Sequence, residues 1–171
     1  MTTIAKTGIE DYLLVSDLAT KTFIESHGES ASLHDIQEYV NTKFNHNAVR
    51  EELSQRRNIY HIIYHNGNAA GYSKIILNHD HDGIQLSDVT KLERLYLLKE
   101  FYDLKLGHQL LEFNISLAEQ NNQNGMWLFV WKNNNRAVRF YQKAGFEIVG
   151  SHVFKISERH SNPNHRMLLA F

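Results

Sequence analysis

Apolar positions recur three and four apart through the first third of the chain, and the period then changes. Ile9 to Ser26 carries Leu13, Leu14, Leu18, Ala19 and Phe23 at helical spacing. A second helix is expected from Ser32, a capping residue type, to Phe44, with Ile36, Tyr39, Val40 and Phe44 apolar. A third is expected over Asn47 to Gln55. Asn58 to His65 is strand-like (Ile59, Tyr60, Ile62, Ile63, Tyr64) and meets Ala69 to Leu77 across Asn66-Gly67-Asn68, where Asn-Gly signals a tight hairpin. Asp82-Gly83 marks another turn before a strand at Lys91 to Leu98. A helix over Leu106 to Gln120, with Leu110, Phe113, Leu117 and Ala118 on one side, leads to a strand at Met126 to Trp131. Strands near Phe146 to Lys155 and His165 to Phe171 close the chain, separated by a turn sequence, Ser161-Asn162-Pro163-Asn164, that holds its single proline.

Between Trp131 and Phe146 the pattern is most specific. Asn134 can cap a short helix, because its side-chain oxygen can accept a first-turn amide. Ala137, Phe140, Tyr141 and Ala144 then share one helix face, and Gly145 is the residue type of a left-handed helix stop. The bland reading of this segment is a strand-helix-strand unit with an aromatic core stripe. The order of elements is helices, a hairpin extended by a third strand, β-α-β-α-β, and a final strand. It predicts an α/β (α+β) fold with a mixed sheet and helices on both faces.

Composition narrows the picture further. The 171 residues suit one domain spanning 1–171, with no internal repeat or linker. A net charge of −1 with interspersed signs gives no electrostatic reason to expect nucleic acid or an anionic membrane as partner. The absence of cysteine excludes disulfides, thiolate zinc and a cysteine nucleophile. Met1 to Lys6 lacks the apolar core of a signal peptide, so a cytoplasmic protein is expected.

The run Asn134, Ala137, Tyr141, Gly145, Phe146 resembles the Asn-x-x-Ala-x-x-x-Tyr-x-x-x-Gly-Phe motif of the GNAT superfamily of N-acetyltransferases, in register at every position. The resemblance implies a mixed, mostly antiparallel sheet of about six or seven strands and acetyl-CoA as co-substrate. It places the cofactor arm along Leu95 and Leu97, with the Leu97 amide polarising the acetyl carbonyl. The pyrophosphate is expected on Lys105, Leu106, Gly107 and His108, where a helix start offers unpaired amides and a favourable dipole. Asn134 would hydrogen-bond the cofactor arm, cap its helix, or do both, and Lys143 completes the cofactor set. The family loop reads Gln/Arg-x-x-Gly-x-Gly/Ala. Here Tyr102 falls on the first position and Lys105 on the first glycine, and only Gly107 is kept. Lys105 is either an added ammonium for the pyrophosphate or a solvated residue.

The same resemblance makes Tyr141 the general acid for the leaving thiolate, against the reading of a core tyrosine. Glu93 is the candidate base, working through water, or one half of an internal ion pair with Arg94 or another cation. His79-Asp80-His81-Asp82 reads as a solvated hairpin turn rather than a ligand set, and no metal is expected. Thr22-Phe23, Ser32 to Asp35, Tyr39, Phe44, Glu51-Glu52-Leu53, Leu92 to Leu97 and Trp127 to Trp131 resemble the PaiA-type spermidine/spermine acetyltransferases. That similarity implies a small-molecule amine, a polyamine by preference, with Glu25, Tyr39 and Trp131 as binding residues and Glu29, Asp35 and Glu38 as further acids. The alternatives are a CoA-binding module with little turnover, or transfer to a peptide or protein amine. A homodimer is expected by analogy.

Overall fold

Asn66 and Gly67 both take positive φ, 50° and 81°, as a two-residue hairpin requires if its twist is to match the strands. They join β2 (Asn58–His65) to β3 (Asn68–Ile76). The computed structural model describes residues 1–171. Its seven strands form one sheet in the order β1-β2-β3-β4-β5-β7-β6, with β1 at Thr2–Thr7, β4 at Val89–Leu97, β5 at Gly125–Trp131, β6 at Glu147–Lys155 and β7 at Ser161–Ala170. The helices are α1 (Tyr12–His27), α2 (Leu33–Lys43), α3 (His46–Ser54), α4 (Leu106–Gln120) and α5 (Asn135–Lys143). The sheet is the mixed, mostly antiparallel one expected. No helix is long and apolar enough to cross a membrane. The chain divides into two compact units, Met1–Ile75 with Arg94–Asn114, and Ile76–Glu93 with Ile115–Phe171.

In the first unit, β1 was not foreseen. Met1 to Lys6 is too short to show a period, and pairing with β2, which sets Ile4 opposite Ile63 and Ala5 opposite Ile62, makes it a strand. Caps fix the helix starts. Ser32 Oγ accepts from Asp35 N at 3.1 Å, and Asn45 Oδ1 accepts from Ala48 N at 3.0 Å, so α3 begins earlier than its apolar pattern does. The predicted first helix opens instead with a 3-10 turn at Ile9–Asp11. The α1 residues Val15, Leu18, Ala19 and Phe23 are buried, and Phe23 stacks on Tyr39 at 4.5 Å. A second apolar cluster joins Ile63, Ala70, Leu106 and Leu110 to Leu95, Leu97 and Phe101.

A charged network crosses this unit. Arg94 forks onto both oxygens of Glu52, at 2.8 and 3.1 Å. Lys74 reaches the same carboxylate at 3.2 Å, and the buried Tyr60 hydroxyl donates to it. Burial raises the Glu52 pKa, but Arg94, Lys74 and the Tyr60 hydroxyl outweigh burial and hold it at about 2. Burial holds His27 and His61 near 4, with Lys6 adding to the effect at His61.

In the second unit, β5 pairs with β7 from Gly125↔Ala170 to Trp131↔Asn164, and β6 pairs with β7 across a bulge between Ile148 and Gly150. Ser161 to Asn164 lies inside β7, so the turn assigned to Pro163 falls elsewhere, at residues 157–160, where Ser157 N bonds His160 O. The Pro163 carbonyl accepts from Lys132 N at 2.9 Å. Its missing N–H points the same way, beyond the last ladder residue of β5, so no strand bond is lost there. The His79 to Asp82 run does lead into a turn, with Ile84 N bonded to His81 O at 2.8 Å and Asp80 and Asp82 exposed, but its two histidines are not simply solvated. Trp127 Nε1 donates to His79 O at 2.7 Å, and the His81 ring lies 4.9 Å from the Trp127 ring.

The titrations set the pH response. Imidazoles held neutral by folding bind protons less tightly than in the unfolded chain, so stability falls as pH drops from 6.5 toward about 4. Glu52, held down, contributes stability above 4.5 that is lost toward about 2. Denaturant unfolding across this range should show both stages. Glu52→Gln should lower neutral-pH stability by about 3 kcal/mol, the low end for a broken buried pair, and remove the acid stage while keeping the upper one.

Candidate active site

Three pieces of the first unit carry the expected cofactor residues. The first is the end of β4. Leu98 N–H donates to Ala70 O of β3 at 2.9 Å, and strand alternation therefore turns the Leu97 N–H away from β3. On its other edge β4 pairs with β5 only through Val89, Thr90 and Lys91. The backbone of Leu95 to Leu97 is thus an edge able to accept an added extended chain.

The second piece is the loop before α4. Lys105 has φ +59° and Asp103 has φ +65°. The left-handed backbone that glycine would take at position 105 is kept by lysine, at a cost of roughly 1–2 kcal/mol. The Lys105 carbonyl accepts from Gln109 N at 3.2 Å and so opens the helix.

The third is the first turn of α4 itself. Leu106 and Gly107 are its first helical residues, and their N–H groups have no carbonyl one turn back within the helix. Leu106 is buried and anchors the turn, Lys105 is exposed, and exposed His108 lies 4.0 Å from Glu112.

The second unit holds the C-terminal motif. Asn134 Oδ1 accepts from Ala137 N at 3.1 Å, so the side chain does cap α5. Gly145 takes φ +96° as the left-handed stop, and Phe146 N bonds Tyr141 O at 3.0 Å. Tyr141 is buried, 8% exposed, with its ring 5.5 Å from Phe146. Lys143 is exposed. Glu93 is half-buried, with Oε1 3.7 Å from Lys91 Nζ. Of the ion partners foreseen for it, Arg94 or another cation, Arg94 is taken by Glu52 and the cation beside Glu93 is Lys91.

Of the expected acceptor residues, Glu25 and Tyr39 belong to the first unit and Trp131 to the second. Glu25 accepts from Lys99 N at 2.8 Å and thereby holds the 3-10 turn Lys99–Phe101. Tyr39 packs among Phe23 and Phe44. Trp131 is half-buried at the end of β5, in the second unit. Of the other acids, Asp35 receives the Ser32 hydroxyl and Glu38 lies 3.9 Å from His34. No group of three or more His, Cys, Asp or Glu side chains is arranged to hold a metal ion.

One positioning residue was missed. A Cβ at Gly71 of β3 would overlap the Tyr96 carbonyl and the Leu97 side chain. This glycine lets β3 approach the end of β4, and an isolated glycine inside a strand pattern was the available signal.

An open strand edge, a left-handed loop leading to a helix start, and a capped helix with a buried tyrosine are the parts of an acyltransferase that takes its acyl group from a CoA thioester. The chain belongs to the Acetyltransferase (GNAT) family, whose profile matches residues 17–146; it is an N-acetyltransferase. It is 28% identical over 145 residues to an uncharacterized N-acetyltransferase encoded in the pepI 3′ region of Lactobacillus delbrueckii subsp. lactis, covering 82% of each chain. An uncharacterized N-acetyltransferase of Mycobacterium tuberculosis is 27% identical over 145 residues, covering 85% of this chain and 88% of its own. In fold it is similar to the PaiA N-acetyltransferase of Thermoplasma acidophilum, solved in complex with coenzyme A. The TM-score is 0.82 at 18% identity, covering 100% of this chain and 99% of that one.

The close approach at Gly71 yields a direct test. Gly71→Ala must push the Tyr96–Leu97 backbone away from β3. It should cost about 1–3 kcal/mol, as overpacking does, and lower acetyl transfer more than a stability-matched substitution remote from β4. Thermal unfolding and thiol-release rates measured on both variants check this.

Proposed function

We propose that this protein transfers an acetyl group from acetyl-CoA to a primary amine of a small molecule, by direct attack within a ternary complex. The observation that carries this reading is the C-terminal motif folded as a unit, with Asn134 capping α5, Tyr141 buried within it and Gly145 in the left-handed stop. The loop supports retained cofactor binding, because Lys105 adopts the backbone that glycine would.

Bound acetyl-CoA supplies a thioester carbonyl open to attack by a neutral amine. Everything else falls to the chain. The Leu106 and Gly107 amides and the Lys105 ammonium hold the pyrophosphate. The Leu97 N–H polarises the acetyl carbonyl, and Asn134 and Lys143 steady the cofactor arm. Glu93 takes the amine proton through water, and Tyr141 gives its phenolic proton to the departing sulfur.

A polyamine acceptor is supported by the resemblance of the N-terminal half to PaiA-type enzymes and by the fold likeness to PaiA. A cytoplasmic homodimer completes the proposal. Support for the dimer lies in edge strand β6, where Ile148, Val149 and Val153 are 45%, 38% and 68% exposed. Light scattering that finds only monomer at high micromolar concentration removes that part.

Incubation with acetyl-CoA and a panel of amines that includes spermidine, followed by free thiol, tests the activity. Release above background with at least one small amine is expected, and none across polyamines, amino acids, aminoglycosides and peptides overturns the enzymatic reading. Tyr141→Phe should keep CoA affinity and fold while lowering kcat by roughly 10²-fold, the low end for a lost general acid. Loss of CoA binding together with turnover marks the residue as structural instead.

A further inference from the structure

On β7, Arg166 sits opposite Phe129 of β5 and Gly150 of β6. Its guanidinium lies against two glycines, and a Cβ at Gly83 or at Gly150 would overlap it. The guanidinium thus occupies the space that both glycines leave open. Yet Arg166 makes no hydrogen bond and no ion pair within the chain, and its Nε is buried without a partner. Buried donors in native proteins are rarely left so.

Three more nitrogen-bearing groups share this face. The His152 ring, exposed, stacks on Phe129 at 4.0 Å. The His81 ring lies 5.8 Å from the Phe129 ring, on its other neighbour Trp127 at 4.9 Å. Lys91 Nζ stands 5.3 Å above the Trp127 ring and 5.7 Å above the Phe129 ring. Gly83 N donates to His81 Nδ1 at 2.9 Å, which assigns the remaining proton to Nε2 and makes that atom a donor. The acids on this face are two, Asp82 beside His81 and Glu93, 3.7 Å from Lys91. Neither pairs with Arg166.

We infer that Arg166, His81, His152 and Lys91 form an anion-binding site for the carboxylate or phosphate group of a small molecule, floored by Phe129 and Trp127. The guanidinium fork offers two parallel donors to such a group, which an ammonium cannot. The two imidazoles and the ammonium surround it with further donors. Burial comes first in lowering the pKa of His81 and of His152, and Arg166 and Lys91 lower both further, while Asp82 works the other way at His81. An anion placed among them reverses that repulsion, so its binding takes up protons and tightens as pH falls. The site does not depend on acetyl transfer. The anionic group belongs either to the acceptor amine itself or to a separate small anion.

Imidazole NMR of the whole protein, saturated with CoA to cover the helix start of α4, reads the site directly. Inorganic phosphate should shift the His81 and His152 resonances saturably and raise the pKa of both. In Arg166→Met, affinity should fall at least about tenfold, the equivalent of one charge-assisted bond, with CoA affinity unchanged. Arg166→Lys should fall between. His152→Phe, which keeps the stack on Phe129, guards against a misfolded Arg166 variant and should weaken phosphate while the fold is retained. Initial rates then separate the two sources. If the anion is part of the acceptor, Arg166→Met raises KM only for amines bearing a carboxylate or phosphate and leaves kcat alone; if it is a separate molecule, no acceptor KM moves. Either result upholds the site. Absence of a saturable shift at His81 and His152, or equal phosphate affinity in wild type and Arg166→Met, overturns it. Phosphate binding at the α4 helix start in protein without CoA, with no response from these histidines, overturns it too and leaves the acetyltransferase reading intact.

Discussion

The carboxylate of Glu52 is the constraint on which the first unit depends. It projects from α3 and meets side chains of β2, β3 and β4 at once, through Tyr60, Lys74 and Arg94. Removing charges from water costs several kcal/mol per ion, so the network is weak evidence for net stability. Its value is positional. A one-residue slip in a strand exchanges its two faces. With Arg94 forked onto Glu52, Leu95 is committed to the opposite face, where Leu95 and Leu97 pack with Leu106 and Leu110 of α4. The strand edge expected to carry the acetyl carbonyl and the helix start expected to carry the pyrophosphate thus belong to one apolar cluster. The ion pair on the far face sets their register.

The loop between them shows how the family geometry survives a changed sequence. Two non-glycine residues, Asp103 and Lys105, hold left-handed φ within three positions. Each costs on the order of 1 kcal/mol, which is tolerable because Leu106 is buried immediately after and anchors the turn. A lysine in that position also brings a charge where a glycine brings none, so backbone strain is exchanged for electrostatic attraction to an anion.

What the sequence made legible follows from locality. The Asn66-Gly67 hairpin, the Ser32 and Asn134 caps and the Gly145 stop are each decided by residues within four positions, and each is found where the pattern puts it. The misreadings came from contacts distant in sequence. β1 exists because Ile4 meets Ile63. Pro163 sits in a strand because β5 has ended before it could be missed there. The turn after His81 is where the pattern puts it, but the packing of His79 and His81 on Trp127 is not visible in the sequence. The contacts of two expected acceptor residues were hidden for the same reason. Glu25 and Tyr39 are polar and aromatic residues on helices, and only tertiary structure reveals that one holds the Lys99 amide and the other fills the packing around Phe23.

A net charge of −1 conceals an uneven distribution. In the first unit the strongest acid, Glu52, is fully committed to two cations, and Glu25 is spent on a backbone amide. In the second, Arg166 has no carboxylate and Lys91 shares only Glu93. A polyamine carries positive charge alone at neutral pH, so it gains nothing from Arg166 and Lys91. An amine that also bears a carboxylate or phosphate has a partner for Arg166. Two unit charges about 4 Å apart interact by about 4 kcal/mol at an effective dielectric constant near 20, and each 1.4 kcal/mol is about tenfold in affinity. If the acceptor reaches Arg166, that one contact outweighs the residue-type resemblance that favours polyamines. The choice of acceptor then rests on where the unpaired charge lies rather than on which family member the N-terminal half resembles.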